Sequence, residues 1–380
     1  MPFSLSCRMF NTHRHSRFRI AISSAPLILA IATISCGHNS ATPAKVPIET
    51  VMLAIHDYGR GHQPLPPPTA STAVAETEEG YRSDISLLLA EEDFAQLEKI
   101  AAQNRAERGL FVGGTWKINE FFNAAAYPPH DGEETDSIYK FHIRRIEKWI
   151  AAYPQSAAAR ITLARAYINY ADFARGSGEG DTVSKAQWGL YGERAALAKD
   201  ALLAAARLKE RDPHWYEAMQ QVASVEGWDN AHARELLDQA VAFEPGYYHY
   251  YREYADYLKP QWYGKHGAIP AFAEEASSRL PEPDGSILYF RIISSVACNC
   301  PPEIAELPGV SLPKIKDGYI NAQRIYGFSN LNANRFAILA VNLQDKSSAR
   351  QAFASIASMD PGVWGGPRTF ESARVWANSN

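Results

Sequence analysis

Two cysteines separated by one residue are the first candidates for chemistry in this sequence. Cys298 and Cys300 lie in the stretch ACNCPP. A disulfide between them would close a small, strained ring, and a metal site would need two further ligands that no nearby C-x-x-C or H-x-x-x-H spacing supplies. We therefore expect an incidental or structural pair, with an envelope redox protein or enzyme that uses Cys298 and Cys300 as the alternative.

Two other stretches contain residue types that bind ligands. RGSGEGDTVSK, at 175–185, has three glycines and a trailing lysine, but it lacks the Gly-Lys-Ser/Thr ending of a phosphate-binding loop and no strand precedes it. HDYGRGH brings His56, Asp57 and His62 together, as a metal site could. We interpret the first as an insert between helices and the second as solvated polar sequence.

Catalytic signatures are missing from the sequence. It contains no G-x-S-x-G elbow, no H-E-x-x-H pair and no glycine-rich dinucleotide fingerprint. We therefore expect a noncatalytic protein with no metal and no cofactor.

The first 35 residues have the pattern of an export signal. The basic stretch RHSRFR is followed by the apolar segment IAISSAPLILAIATIS, which ends at Ser35. This apolar segment is short against the ~20 residues that a membrane-spanning helix needs, and Pro26 interrupts it. We therefore predict a cleaved signal peptide at residues 1–35, with either Met1 or Met9 as the start.

The residue that follows this segment predicts how the chain is anchored. TISC, ending at Cys36, resembles the bacterial lipobox, in which the cysteine is acylated and becomes the new N-terminus, although Thr33 stands where leucine is usual. The resemblance implies a lipoprotein of the bacterial cell envelope, on the periplasmic side in a Gram-negative cell. A soluble secreted or periplasmic form cut near Ala41 is the alternative.

The charge balance argues against a nucleic-acid partner. The full chain has 38 Lys and Arg against 42 Asp and Glu, a net charge of −4. Removing residues 1–35 deletes four arginines and no acid, which leaves 34 against 42 and a net charge of −8. A chain without a basic block does not suit nucleic acid.

Composition divides the remaining chain into three parts. Residues 36–80 are rich in Pro, Ala and Thr, and we predict a flexible tether there. From residue 81 to 365 apolar residues recur at three- and four-residue spacings, as Ile85, Leu88 and Leu89 do, which predicts an all-helical domain. Residues 366–380 are predicted to be a C-terminal tail.

Several helices share one spacing of small, aromatic and proline residues. ARELLDQAVAFEP and ARQAFASIASMDP each place proline twelve residues after the first alanine, at Pro245 and Pro361. The matching small and large residues of other helices are Leu163, Ala164 and Tyr167, and Tyr251, Tyr254, Ala255 and Leu258. This spacing resembles the tetratricopeptide repeat. The resemblance implies an all-α, right-handed solenoid of four to six antiparallel helix pairs.

Three loops carry a more specific resemblance. YADFARGSG, KPQWYGKHG and ARQAFASIASMDPGVW are similar to segments of a bacterial domain family of unknown function that is built on such repeats. The resemblance assigns no reaction to the chain.

The tyrosine-rich stretch EPGYYHYYREYADYLKPQWYGKHG, at 244–267, contains one repeat helix. Its register predicts that Tyr251 and Tyr254 pack inside, while polar residues of this helix and the preceding one fall on the concave side. The predicted partner-binding residues are Glu217, Gln220, His249, Arg252, Asp256 and Lys259. We therefore expect a membrane-tethered, noncatalytic protein–protein interaction scaffold that holds another envelope protein or peptide.

Overall fold

The computed structural model describes residues 46–65, 68, 77–130, 132–178, 180–296 and 309–379. The predicted signal peptide, Cys36, Cys298 and Cys300 lie outside the described residues.

Helices form nearly all of the described chain. In the first half they are α1 (Ile48–Gly59), α2 (Glu78–Ala90), α3 (Phe94–Glu107), α4 (Lys117–Ala126), α5 (Asp136–Ala152), α6 (Ala157–Arg175), α7 (Lys185–Ala206) and α8 (Pro213–Glu226). In the second half they are α9 (Asn230–Phe243), α10 (His249–Tyr257), α11 (Ala268–Ser278), α12 (Asp284–Ser295), α13 (Leu312–Tyr326), α14 (Asn330–Asn342), α15 (Lys346–Ser355), α16 (Pro361–Trp364) and α17 (Pro367–Asn378). The described residues contain no strand beyond one isolated bridge, so the prediction of an all-α protein is confirmed.

Local sequence sets where many of these helices begin. Ser184 starts α7 with a reciprocal capping box, in which its hydroxyl accepts from the Gln187 N–H and the Gln187 side chain accepts from the Ser184 N–H. Asp212 starts α8 by accepting from the His214 N–H at 2.9 Å, and Pro213 follows where its missing N–H is harmless.

The even-numbered helices form a continuous series. Helices α2, α4, α6, α8, α10, α12 and α14 each contact the next member, and every odd-numbered helix from α3 to α15 packs on an even-numbered sequence neighbour. Small residues allow two helices to cross at the shortest distance. A Cβ atom at Gly318 of α13 would lie 2.0 Å from the Ser286 carbonyl oxygen of α12, so only glycine fits there.

The repeat positions predicted to pack are buried. Ala164, Ala255 and Ala349 are fully shielded from solvent, and Tyr251 and Tyr254 are buried against Phe272. Tyr247 and Tyr250 of the same segment are also fully buried. The prediction that Tyr251 and Tyr254 serve packing is therefore confirmed.

Helix α1 corrects part of the predicted tether at 36–80. Val51, Ile55 and Tyr58 are buried, and the Tyr58 ring stacks on Trp215 with centroids 4.1 Å apart. The Tyr58 hydroxyl also accepts from the Asp212 N–H at 2.7 Å. These three residues share one helix face, so α1 buries enough apolar surface to dock on α7 and α9.

The prediction of a C-terminal tail at 366–380 is likewise wrong for most of that range. Helix α17 packs on α15. The Phe370 ring contacts Trp364 and Phe353, and the Arg350 guanidinium donates to the Ala377 carbonyl at 3.1 Å. These contacts cap the C-terminal end of the helical array.

The loop between α3 and α4 joins helices that are distant in sequence. The Gly113 N–H donates to the Tyr326 carbonyl at 2.6 Å, and Arg291 donates to the Gly114 carbonyl at 3.2 Å. Arg108 forms an ion pair with Glu244 at 2.6 Å. Gly113 and Gly114 both have positive φ, which lets the backbone approach these partners. The loop therefore links the N-terminal helices to the end of α9 and to α12 and α13.

The docking of α1 can be tested by truncating its central aromatic residue. Tyr58→Ala should lower the free energy of unfolding by about 3 kcal/mol or more, because it removes a buried ring and its hydrogen bonds. Leu53→Ala, at a position 66% exposed on the same helix, should change it by less than ~0.5 kcal/mol. Urea unfolding measures both values, and equal losses would contradict the docked helix.

Candidate functional site: the inner surface of the even-numbered helices

One network of hydrogen bonds and electrostatic interactions connects polar side chains of seven helices, the even-numbered helices from α2 to α14. We call it the inner surface and define it by Glu78, Arg82, Asn119, Glu120, Asn123, Arg165, Glu217, Gln221, His249, Arg252, Glu253, Arg291 and Arg335. Its links run from helix to helix. Arg82 of α2 donates to Glu120 of α4 at 2.5 Å, and Arg165 of α6 donates to Asn123 of α4 and to Gln221 of α8.

A buried carboxylate lies at the centre of this network. Glu217 accepts from Asn119 Nδ2 at 3.0 Å, from the Tyr247 hydroxyl at 2.7 Å and from His214 Nδ1 at 2.9 Å. Burial alone would raise the pKa of Glu217, but the charge and hydrogen bond of His214 outweigh burial and hold this pKa well below its ordinary value. Glu217 is therefore an ionised group whose hydrogen-bonding capacity is met within the protein.

The neighbouring carboxyl group, Glu253, behaves in the opposite way. Burial, followed by repulsion from Glu217 and Asp256, raises the pKa of Glu253 to about 8, although Arg165 and a hydrogen bond with Gln221 partly oppose the shift. Relative to the ordinary pKa of a glutamate, the pKa of Glu217 is thus lowered and that of Glu253 is raised. At neutral pH one carries charge and the other retains its proton.

Three arginines form the other end of the inner surface. Burial and then the charge of Arg252 lower the pKa of the Arg335 guanidinium to about 9. Burial also lowers the pKa of His249, and the charges of Arg252 and Arg291 reinforce this shift. All three arginines are only half-buried, so they lie deep in the structure yet reach solvent.

Arg291 is held in a fixed orientation. Its guanidinium carbon lies 3.9 Å from the centre of the Tyr248 ring and 4.9 Å from that of Tyr326, and one of its nitrogens donates to the Gly114 carbonyl. The two rings and the backbone hydrogen bond together immobilise the planar group.

The predicted partner-binding residues divide into two groups. Glu217, Gln220 and His249 are buried, which corrects the expectation that they form an open strip. Successive even-numbered helices approach so closely that these side chains bond across the crossing, as the Gln220 amide does when it donates to the Tyr250 carbonyl at 3.2 Å.

The other three predicted residues reach the surface. Arg252 is half-buried, Asp256 is exposed, and Lys259 forms an ion pair with Asp256. The structure therefore brings Arg252 into the inner surface and leaves the Asp256–Lys259 pair at its edge.

Several inner-surface residues were not predicted. Arg165, Arg291 and Arg335 were not among the residues singled out from the sequence. A signal was present, since LYFRII and NRFAILA each contain a single arginine in an apolar run. A lone charge in such a run is seldom buried without a specific role.

The other chemical candidates have structural partners of their own. His56 bonds to Glu235 at 2.7 Å, Asp57 pairs with Arg60 at 2.6 Å, and the His62 ring stacks on Phe243. In the loop after α6, Arg175 donates to the Gly176 and Gly178 carbonyls, so those carbonyls face a cation. Among the residues described, no three His, Cys, Asp or Glu side chains are grouped to hold a metal ion.

Comparison of the chain with protein-family models, with curated proteins and with solved structures finds no match in any of the three. Within the described ranges, every helix is too short or too polar to cross a membrane.

The raised pKa of Glu253 predicts how stability depends on pH. Between the ordinary value of 4.5 and about 8 the unfolded chain loses a proton that the folded chain retains, so this residue lowers stability as pH rises through that window. Glu253→Gln removes the titration. We expect the variant to gain stability relative to wild type at pH 8 but not at pH 4.5, as measured by urea unfolding.

The matched control is Glu147→Gln, at an exposed position on α5. Its stability difference from wild type should be similar at both pH values. A Glu253→Gln difference that does not change with pH would contradict the raised pKa.

Proposed function

We propose that the protein is a noncatalytic interaction scaffold of the bacterial cell envelope, whose inner surface binds a segment of another envelope protein or peptide. The observation that carries this proposal is the single polar network to which the seven even-numbered helices from α2 to α14 contribute. A surface of this kind extends over many helices and suits a long ligand better than a small one.

The helix contacts support a tetratricopeptide-like solenoid. In five pairs the two helices follow each other in the chain and pack together, namely α2/α3, α6/α7, α8/α9, α12/α13 and α14/α15. The even-numbered helices would be the inner members of these antiparallel pairs and the odd-numbered helices the outer ones. Five such pairs agree with the four to six that the repeat spacing predicts.

Arginine side chains of the inner surface remain accessible to a ligand. Arg252, Arg291 and Arg335 are half-buried, and burial together with the charge of Arg252 lowers the pKa of Arg335. Groups with a shifted pKa that still reach solvent are common at binding sites.

Acylation of Cys36 would hold the domain close to a membrane. Helix α1 begins at Ile48, which is twelve positions after Cys36. Twelve residues span at most about 40 Å when fully extended. The inner surface would then meet partners at the membrane surface, and Cys36→Ser should release the protein from the membrane fraction.

Loss of inner-surface charge should abolish partner capture. The double variant Arg252→Gln/Arg335→Gln removes two half-buried guanidinium groups from α10 and α14 and leaves the packed rings in place. We expect it to lose specific partners that wild type retains after cross-linking in intact cells and purification. Quantitative mass spectrometry of the purified complexes measures the loss.

A matched double variant controls for charge. Arg144→Gln/Arg207→Gln removes two exposed arginines, one on α5 and one at the end of α7, and should retain the partners. If a folded inner-surface variant captures the same proteins in the same amounts as wild type, the inner surface is not the binding site.

A further inference from the structure

A pocket lies where α9, α10 and α11 come together. Leu237 and Val241 of α9, Tyr251 of α10, and Phe272 and Ala276 of α11 contribute to its lining, and its volume is about 230 Å³. Protein interiors are close-packed and contain few voids larger than a water molecule. A space of this size among apolar side chains is therefore a candidate binding site.

The volume of the pocket limits what it can hold. On another side of α9, the space that Leu236 shares with Gln220 and Glu253 measures about 10 Å³, which is roughly the space of one water molecule. An apolar cavity of roughly 150 Å³ binds benzene, whereas drug-sized molecules occupy pockets of roughly 300–1,000 Å³. The larger pocket therefore suits a molecule with one or two small rings.

Charged residues also line this pocket, but they neutralise one another. Arg234 Nε donates to Asp238 at 3.0 Å, and the two terminal nitrogens of Arg234 donate to the two oxygens of Glu275 at 3.1 Å and 2.6 Å. Arg279 pairs with Glu275 as well, at 2.5 Å. Two arginines thus balance two carboxylates, so the pocket has no net charge with which to attract an ion.

The hydrogen bonds of Arg234 determine which part of its guanidinium group a ligand can contact. All three nitrogens donate to carboxylates along the edge of the planar group. The two faces remain for other contacts, and a guanidinium face attracts aromatic rings. The rings of Tyr251 and Phe272, with centroids 6.5 Å apart, line the same pocket and offer stacked or edge-to-face contacts.

We infer that this pocket binds a small, uncharged aromatic molecule. Its volume sets the size of the molecule, the balanced charges of its lining exclude an ion, and its rings and the Arg234 face favour an aromatic ring over an aliphatic one. The inference does not rest on the proposed function, because none of the residues that line the pocket belongs to the inner surface.

Matched small molecules test each part of this inference. Phenol and cyclohexanol are both uncharged at pH 7 and similar in size, and benzoate adds a negative charge to the aromatic ring. With the full chain labelled at its methyl groups, we expect phenol to shift the NMR signals of Leu237, Val241 and Leu280 in a saturable manner. Cyclohexanol should bind about threefold more weakly, in line with the loss of a partly exposed cation–π contact. Benzoate should also bind more weakly than phenol.

Variants that fill the pocket locate the binding. Ala276→Leu should weaken phenol binding at least about tenfold, because the larger side chain occupies the space of the ring. Val241→Phe should do the same from α9 and serves if Ala276→Leu does not fold. Ala271→Leu makes the same change at an exposed position of α11 and should bind phenol like wild type.

Three results would overturn the inference. They are the absence of saturable shifts with phenol, equal or tighter binding of cyclohexanol or benzoate, and unchanged phenol binding in the folded variants that fill the pocket. None of the three bears on partner capture by the inner surface, which the arginine variants test separately.

Discussion

The rest of the inner surface depends on how the protein buries the carboxylate of Glu217. An ionised carboxylate is very costly to remove from water unless several donors replace its hydration. Three side chains supply these donors. Asn119 lies on α4, His214 lies at the start of α8, and Tyr247 lies just before α10. Meeting this requirement fixes how α4, α8 and α10 approach one another.

Charged groups of the inner surface adjust to burial in different ways. Glu217 has its donors, and Glu253 avoids the cost of burial by retaining a proton. Arg335 keeps its charge at neutral pH, because burial lowers its pKa only to about 9. Its side chain is half-buried and still reaches solvent. The inner surface thus changes along the helix series from a sealed polar core to an accessible region that contains arginines.

Sequence predicted the helices and their packing positions because both depend on local spacing. Ala164 and Tyr254 were assigned correctly from residues within one or two turns of each. Helix α1 was missed although Val51, Ile55 and Tyr58 share one face, because the surrounding Pro, Ala and Thr residues outweighed that short pattern. Composition is an average over a segment, whereas docking needs only three well-placed apolar side chains.

The inner surface could be predicted only in part, because its contacts join residues far apart in the chain. The register correctly grouped Glu217 with His249 on one side of the helices. It could not show that Tyr247 and Asn119, 128 residues apart, would meet over Glu217. Nor could it show that the loop after α3 would reach Tyr326 and help to hold Arg291.

The central claim is that partners bind between the even-numbered helices and not on the outer face. Site-specific photo-cross-linking in intact cells tests it most directly, with a benzophenone amino acid in place of one aromatic residue. Tyr326, at the end of α13, is half-buried beside Arg291, and Phe141 is 52% exposed on α5. The account predicts a discrete cross-linked partner from position 326 and none from position 141. Adducts from position 141 with none from position 326 would contradict it.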